Sequence, residues 1–476
     1  MIFHLENYVY SPNFFSWKDK IMEEKQNFVK GMQSKHLITL SLGGVIGTGI
    51  FLSSGYLIQE AGAVGTIIAY LIGAFLVCLV MLCLGELTVY EPNTGAFHTY
   101  ASKYIHPGVG FVVAWLYWLT WTVALGYQFI TLAIFMGRWF PGVDQWIWCL
   151  IFALFILGLN IFNLNVFANS EFWMSFIKVI ALAVILILGI LATFGILKYQ
   201  GSSEAPLLKE FTKNGVFPNG FGAIALAILS ANFAFSGAEI ISVAAGETKN
   251  PEKSVPKAIF QTLVILIVLF IGTIVVIGAL LPQEKAGLDE SPFVTILTNI
   301  GIPYIGDIMN FILIITLLSA ANSGLYAASR MLWSLSNQNT LPKSFAKLNK
   351  KGLPVYGLAL TMLGGFLSLF SSIYAAETVY LVLTSISGLS VVGVWLGIGW
   401  SHYNFRKSYI KNGGKEEDLK YKAPFYPIVP ILVILLCLIS MIGIAIDPNQ
   451  RLGLLIFIPF VILCFGYYQL VFKNKK

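Results

Sequence analysis

Two apolar stretches, each long enough to cross a bilayer, are interrupted in the middle by small and polar residues. The first contains Gly43, Gly44, Val45, Ile46, Gly47, Thr48, Gly49, Ile50 and Phe51, and the second contains Phe233, Ala234, Phe235, Ser236, Gly237, Ala238 and Glu239. Four glycines within positions 43–49 make a poor helix interior, because each costs about 1 kcal/mol relative to alanine. Non-helical backbone at membrane depth is tolerated only where protein buries it or where it lines a cavity. Interrupted helices in corresponding places of two halves therefore point to a solute site near the midplane. The competing explanation is close helix packing through small residues, but packing does not account for Glu239 beside the second break.

Composition sets the class. At 57% hydrophobic, 11% charged and 14% aromatic over 476 residues, the chain cannot be an ordinary soluble globule. Apolar runs near the roughly 20 residues needed to span a bilayer recur along its length. Twelve spans are predicted, at 37–58, 64–86, 111–135, 146–166, 172–197, 221–245, 257–281, 308–333, 355–373, 378–402, 427–446 and 453–472. The ninth is marginal, with Gly364 and Gly365 inside it. On this reading 23 of the 30 lysines and arginines lie in loops on the side of the N-terminus, against 6 on the other side. Positive residues mark the cytoplasmic face, so both termini are expected there. The same bias explains the net charge of +7 without nucleic acid.

Residues 1–33 read differently, mixing aromatics with charges and lacking an apolar core of signal-peptide length. They fit an interfacial amphipathic segment, a disordered tail or an overlong reading frame starting properly at Met22 or Met32; a dispensable cytoplasmic tail is the favoured expectation. The five cysteines all fall in predicted spans without a CxxC pair, which supports neither a disulfide framework nor a metal site. After the second span comes the turn signal Glu91, Pro92, Asn93, Thr94, Gly95, then 96–105 as an expected amphipathic helix in the interface. The sequence shows no glycine-rich nucleotide loop, metal cluster or nucleophile elbow. Neither an enzyme nor a cofactor is expected.

The motifs LSLGGVIGTGIF (40–51), GEL (85–87), GAFHTYASKY (95–104), FWMSFIKV (172–179) and FSGAEIISVAAGETKNPEKSVPK (235–257) resemble bacterial amino acid permeases of the amino acid–polyamine–organocation superfamily. The resemblance runs from about residue 33 to the end. Within the family, 114–126 and 319–342 look most like S-methylmethionine permeases. The resemblance implies an all-α membrane domain over 34–476. It would hold a five-plus-five inverted repeat (37–197 and 219–405), with first and sixth helices broken, followed by two peripheral helices at 427–472. It implies plasma-membrane import of an amino acid by proton symport, with S-methylmethionine or a neutral amino acid as the leading substrate. A cationic amino acid or polyamine transporter, and a non-transporting sensor of the same fold, are the alternatives.

Residue types at the breaks suit an α-amino acid. Unwinding over Ile46, Gly47, Thr48 and Gly49 frees N–H groups for a carboxylate. Carbonyls freed at Ile46 and around Phe233, Phe235, Ser236 and Gly237 can accept from an ammonium group. Tyr117 and Asn322 are further substrate-binding candidates. Trp115, Trp118 and Trp121 recur at helical spacing with Tyr117 adjacent; packing is the default, and one or two facing the pocket is the sharper reading. Ionisable groups at membrane depth cost about 2.5–3.5 kcal/mol each on insertion scales. Glu239 is read as a substrate, gate or proton-carrying carboxylate, Glu86 as a gate contact, and Glu247 as structural. Lys178 is open to snorkelling from the span end. The resemblance instead implies that its ammonium stands where sodium-coupled relatives bind a cation.

Overall fold

The computed structural model describes residues 32–161, 164–201, 204–288, 290–349, 352–374, 376–446 and 451–472. Nearly all of the tail expected at 1–33 therefore lies outside the described residues. Within them every regular element is helical, and the only strand-like feature is an isolated bridge between Met32 and Thr248.

The chain opens with α1 (Ser34–Val45), a break at Ile46 and Gly47, and a single turn, α2 (Thr48–Phe51). A long element, α3 (Ser53–Tyr90), follows; its backbone is non-helical at Gly62, where φ is +72°. The loop expected between spans 37–58 and 64–86 is thus reduced to one glycine. Next come α4 (Ala96–Tyr104), α5 (Pro107–Gly137), α6 (Gln145–Ile161), α7 (Leu164–Thr193) and the short α8 (Lys209–Thr212). The stretch 221–245 is split into α9 (Gly220–Ala234) and α10 (Ile240–Ala245). The remainder is α11 (Pro251–Leu280), α12 (Pro292–Ile300), α13 (Ile305–Asn337), α14 (Val355–Met362), α15 (Ala376–Lys411), α16 (Ile428–Ile446) and α17 (Arg451–Val471).

Among the described residues, eight helical stretches are long and apolar enough to cross a membrane: Ser53–Tyr90, Pro107–Gly137, Glu171–Thr193, Pro251–Leu280, Ile305–Asn337, Val355–Ser372, Thr378–Lys411 and Leu452–Val471. Gln145–Asn160 and Ile428–Ile444 are shorter apolar helices. The stretch at 355–373 is helical, but it tightens into a 3-10 helix from Leu363 to Ser372. There Gly364 lies so close to α5 that a Cβ would sit 1.9 Å from the Thr122 carbonyl oxygen. The marginal glycine pair is a close helix contact.

Burial follows the bilayer. On α7, Trp173, Phe176, Ile180 and Ile187 are exposed, as apolar side chains facing lipid tails are expected to be, whereas Glu171, Ser175, Lys178, Leu182 and Ile185 are buried. The two sets lie on opposite helical faces. One expectation is corrected: α4 does not lie on the surface. Ala96 through Ser102 are buried, His98 pairs with Ser334 at 2.8 Å and the Tyr100 hydroxyl donates to the Glu91 carbonyl at 2.8 Å. His98 and Tyr100 find protein partners, so the helix packs inside the bundle instead of lying at the headgroups.

Buried charges at the helix ends are paired, as an apolar interior demands. Arg330 on α13 donates to Glu247, after α10, at 2.7 Å, and the Tyr326 hydroxyl donates to the same oxygen at 2.9 Å. Glu86 on α3 is clamped by Arg406 of α15, whose Nη2 lies 3.0 Å away, and by the Ala423 backbone N–H at 2.5 Å. The His402 ring stands 3.2 Å from the same carboxylate.

Candidate functional site

The two breaks meet. Gly237 has φ +111°, a conformation that favours glycine, and a Cβ there would lie 2.7 Å from the Gly44 carbonyl carbon. Gly49 approaches α9 as closely, with Ala234 Cα 2.6 Å from where a side chain would start. Ser41 ties the crossing together by donating to the Ala238 carbonyl at 3.3 Å.

At the first break Ile46 turns extended (φ −75°, ψ 96°) and Gly47 follows with φ −154°. Ile50, four residues after Ile46, donates to the Gly47 carbonyl at 3.3 Å, which releases the Ile46 carbonyl from the helical ladder. The N–H groups of Thr48 and Gly49 open a new helical segment and have no preceding turn to accept them. At the second break Ser236 donates back to Phe233 at 3.0 Å, and the helix resumes through Ile240 to Gly237 at 3.1 Å.

Between the breaks lies a small cavity. Its walls are Gly47, Thr48 and Gly49 from the first break, Phe233, Ala234 and Ser236 from the second, and part of α5 with Ala320 of α13. Gly47 is the most open of these positions, since a Cβ there would meet only Ala320 at 3.4 Å. Phe233 also borders a second small cavity, which includes Ser53, Ser230, Tyr380 and Thr384. Its ring packs edge-on against Tyr127 with centroids 5.3 Å apart, and Tyr127 packs against Tyr380 at 6.0 Å. An aromatic partition thus separates the two cavities.

The other expected residues lie around the cavity. Ile46 is fully buried behind its wall. Phe235 turns toward α3 and α11, packing against Tyr70 and Phe270. Tyr117 packs edge-on against Phe97 and Trp121. Of the three tryptophans, Trp121 reaches the cavity, while Trp115 and Trp118 pack together and Trp118 donates to Thr361. Asn322 faces α6 and α7, accepting from Asn160 at 2.6 Å. The Glu239 carboxylate accepts from the Gly237 N–H at 3.1 Å and from the Trp395 indole at 3.4 Å, which fixes the second break. Lys178 does not snorkel: it is fully buried, and its ammonium donates to the Gly43 carbonyl at 2.5 Å. Glu86 sits away from the cavity in the ion pair with Arg406.

Among the residues that escaped the sequence reading are two that line the cavity and a carboxylate that stands outside it. Tyr127 and Gln128 on α5 line the cavity, and the buried Gln128 Oε1 has no hydrogen-bond partner among the described residues. Their signal was available: they lie six and seven residues beyond Trp121, close to two helical turns. The carboxylate is Glu171, which is 2% exposed. It lies seven residues before Lys178 on the same helical face, and starting the span at 172 cut it off.

Residues 36–476 match the amino acid permease family. The chain is 46% identical to the amino-acid permease RocE of Bacillus subtilis (strain 168), over 94% of this chain and 95% of that one. It is 34% identical to the lysine-specific permease LysP of Escherichia coli (strain K12), over 92% of each chain. It is also 34% identical to the histidine permease HisP of Lactococcus lactis subsp. cremoris (strain MG1363), over 93% of this chain and 96% of that one. With a family match across nearly its whole length and an all-helical fold broken at two touching points, the chain belongs to the amino acid permease family and is a multi-pass membrane transporter, not an enzyme.

Proposed function

We propose that this permease imports an amino acid across the plasma membrane by proton symport, binding it in the cavity between the two helix breaks. The carrying observation is that cavity, walled on opposite sides by interrupted backbone at Gly47–Gly49 and Phe233–Ser236. The N–H groups of Gly47, Thr48 and Gly49 suit the α-carboxylate, and the carbonyl released at Ile46 suits the α-ammonium. The Trp121 ring and the partnerless Gln128 oxygen favour a positively charged side chain over a neutral one, through cation–π attraction of up to about 2 kcal/mol when desolvated. The sulfonium of S-methylmethionine meets that description. So do side chains of the kind named in the lysine and histidine permeases among the relatives. Uptake of labelled lysine, histidine and S-methylmethionine into proteoliposomes, competed by leucine, tests it; leucine outcompeting all three would contradict the charge preference.

The proposed topology has twelve crossings in a five-plus-five inverted repeat with two peripheral helices. Adding the two broken elements to the long and the shorter apolar helices supports that number. Both termini then face the cytoplasm. In a cysteine-free background, Lys285→Cys is expected to react with an impermeant maleimide on intact cells, and Lys347→Cys only after permeabilisation. Equal reaction of both in intact cells would contradict the orientation.

Backbone recognition at the first break predicts different consequences for two neighbouring glycines. A valine at Gly47 projects into the cavity, so Gly47→Val should leave folding intact and weaken binding by roughly 5- to 150-fold, the equivalent of 1–3 kcal/mol of overpacking. At Gly49 the same change strikes the Ala234 backbone and should also lower thermal stability. Equilibrium binding and melting in detergent separate the two, and near-normal affinity of Gly47→Val would place the ligand elsewhere.

Lys178 places its ammonium on the Gly43 carbonyl of the first broken helix, so sodium should be dispensable while a protonophore abolishes accumulation. A charge-assisted hydrogen bond such as Lys178 to Gly43 contributes about 1.5–3 kcal/mol, so Lys178→Met should cut transport roughly tenfold or more at unchanged expression. Sodium-dependent uptake by the parent, or near-normal uptake by the methionine variant, would contradict this role.

A further inference from the structure

We propose that Glu171 carries the proton whose binding loosens the grip of α7 and α13 on the first broken helix. It is a positioning residue acting through Gly43, not a group that touches substrate, and it rests on the proton-symport reading above. Three α13 side chains converge on its carboxylate: the Ser319 hydroxyl donates at 2.5 Å, the Ser323 hydroxyl at 2.8 Å and the Asn322 amide at 3.4 Å. From α7 itself Ser175 approaches at 3.4 Å, while its hydroxyl also donates to the Thr39 carbonyl of α1 at 2.7 Å. Asn160 of α6 reaches the cluster only through Asn322.

Gly43 is the meeting point. The Glu171 Oε1 occupies the place of the missing side chain, 2.1 Å from an ideal Cβ, with the Ser175 and Ser323 hydroxyls at 2.9 and 3.0 Å. The Gly43 carbonyl is held by Lys178. Two ionisable side chains on one face of α7 therefore grip the same residue of α1, one by its carbonyl and one in its side-chain space. Lys178 and Glu171 are the two ionisable side chains that meet at Gly43. Arg330, buried two turns further along α13, pairs with Glu247.

In the anionic form the carboxylate accepts from all three α13 donors and offsets the Lys178 charge. Taking up one proton makes it a neutral acid, weakens those charge-assisted bonds and leaves the pair with one net positive charge beside α1. Both changes favour parting of α13 from the junction, and releasing the proton on the other side restores the grip. No bond other than O–H is made or broken.

The test is uptake in proteoliposomes by Glu171→Gln, which keeps the shape and cannot ionise. The expected result is a loss of pH-gradient-driven accumulation of about tenfold, with exchange of preloaded substrate at symmetric pH retained and affinity unchanged. Glu171→Asp should restore part of the gradient-driven component. As a second variant, Ser319→Ala removes one donor to the anion, so the pH of half-maximal uptake should move upward without a change in maximal exchange. Parent-like gradient-driven accumulation by Glu171→Gln, or an unmoved pH profile for Ser319→Ala, overturns the proposal. If the parent itself ignores the pH gradient, the symport reading falls together with it. If the parent responds and both variants respond identically, Glu171 alone is excluded.

Discussion

Every backbone N–H and C=O in a membrane must find a partner, because the surrounding hydrocarbon offers none. A continuous helix meets that demand within itself; an interrupted helix does not. The breaks at Ile46–Gly47 and Phe235–Glu239 are placed where other parts of the protein and a cavity surround them. Glu239 satisfies the Gly237 N–H, Ser41 reaches the Ala238 carbonyl, and the two interrupted backbones press directly together at Gly44 and Gly237. The groups that remain free at Gly47–Gly49 border the cavity. Structural necessity and proposed ligand recognition thus arise from one local departure from helical geometry.

The bundle holds that crossing from several sides. α7 presents its polar face inward to Gly43 through Glu171 and Lys178, and α13 locks onto α7 through Ser319, Asn322 and Ser323. Further along, Arg330 with Glu247 and Arg406 with Glu86 join α13 to the end of α10 and α15 to α3. Buried ion pairs are poor sources of net stability, yet removing one partner strands the other in an apolar interior. Such contacts suit elements that must dock in a fixed register and part as units.

Much of the fold was legible in the sequence because apolar length and charge asymmetry are strong signals in membranes. The two breaks could be located from Gly47, Gly49 and Gly237 alone, and Lys178 from its unlikely place in an apolar run. What was hidden depended on rotation about helix axes. Phe235 lies one residue from Ser236, yet its ring turns away toward Tyr70 while Ser236 faces the cavity. The amphipathic 96–104 segment suggested an interfacial helix because periodicity reports two faces without saying what covers the polar one; here other helices do. Glu171 was missed for a simpler reason: it sits before the apolar run, where hydropathy places a boundary but the helix continues to Leu164.

The central claim is that an amino acid is held by interrupted backbone rather than by a charged side chain. A structure determined with bound lysine tests it most directly. The expected result places the α-carboxylate within hydrogen-bond distance, about 2.7–3.2 Å, of the N–H groups of Gly47–Gly49, with the α-ammonium facing the Ile46 carbonyl and the side chain beside Trp121 and Gln128. A ligand seated in the second cavity beyond Phe233, or one whose carboxylate contacts Lys178 in place of the broken helix, would contradict it.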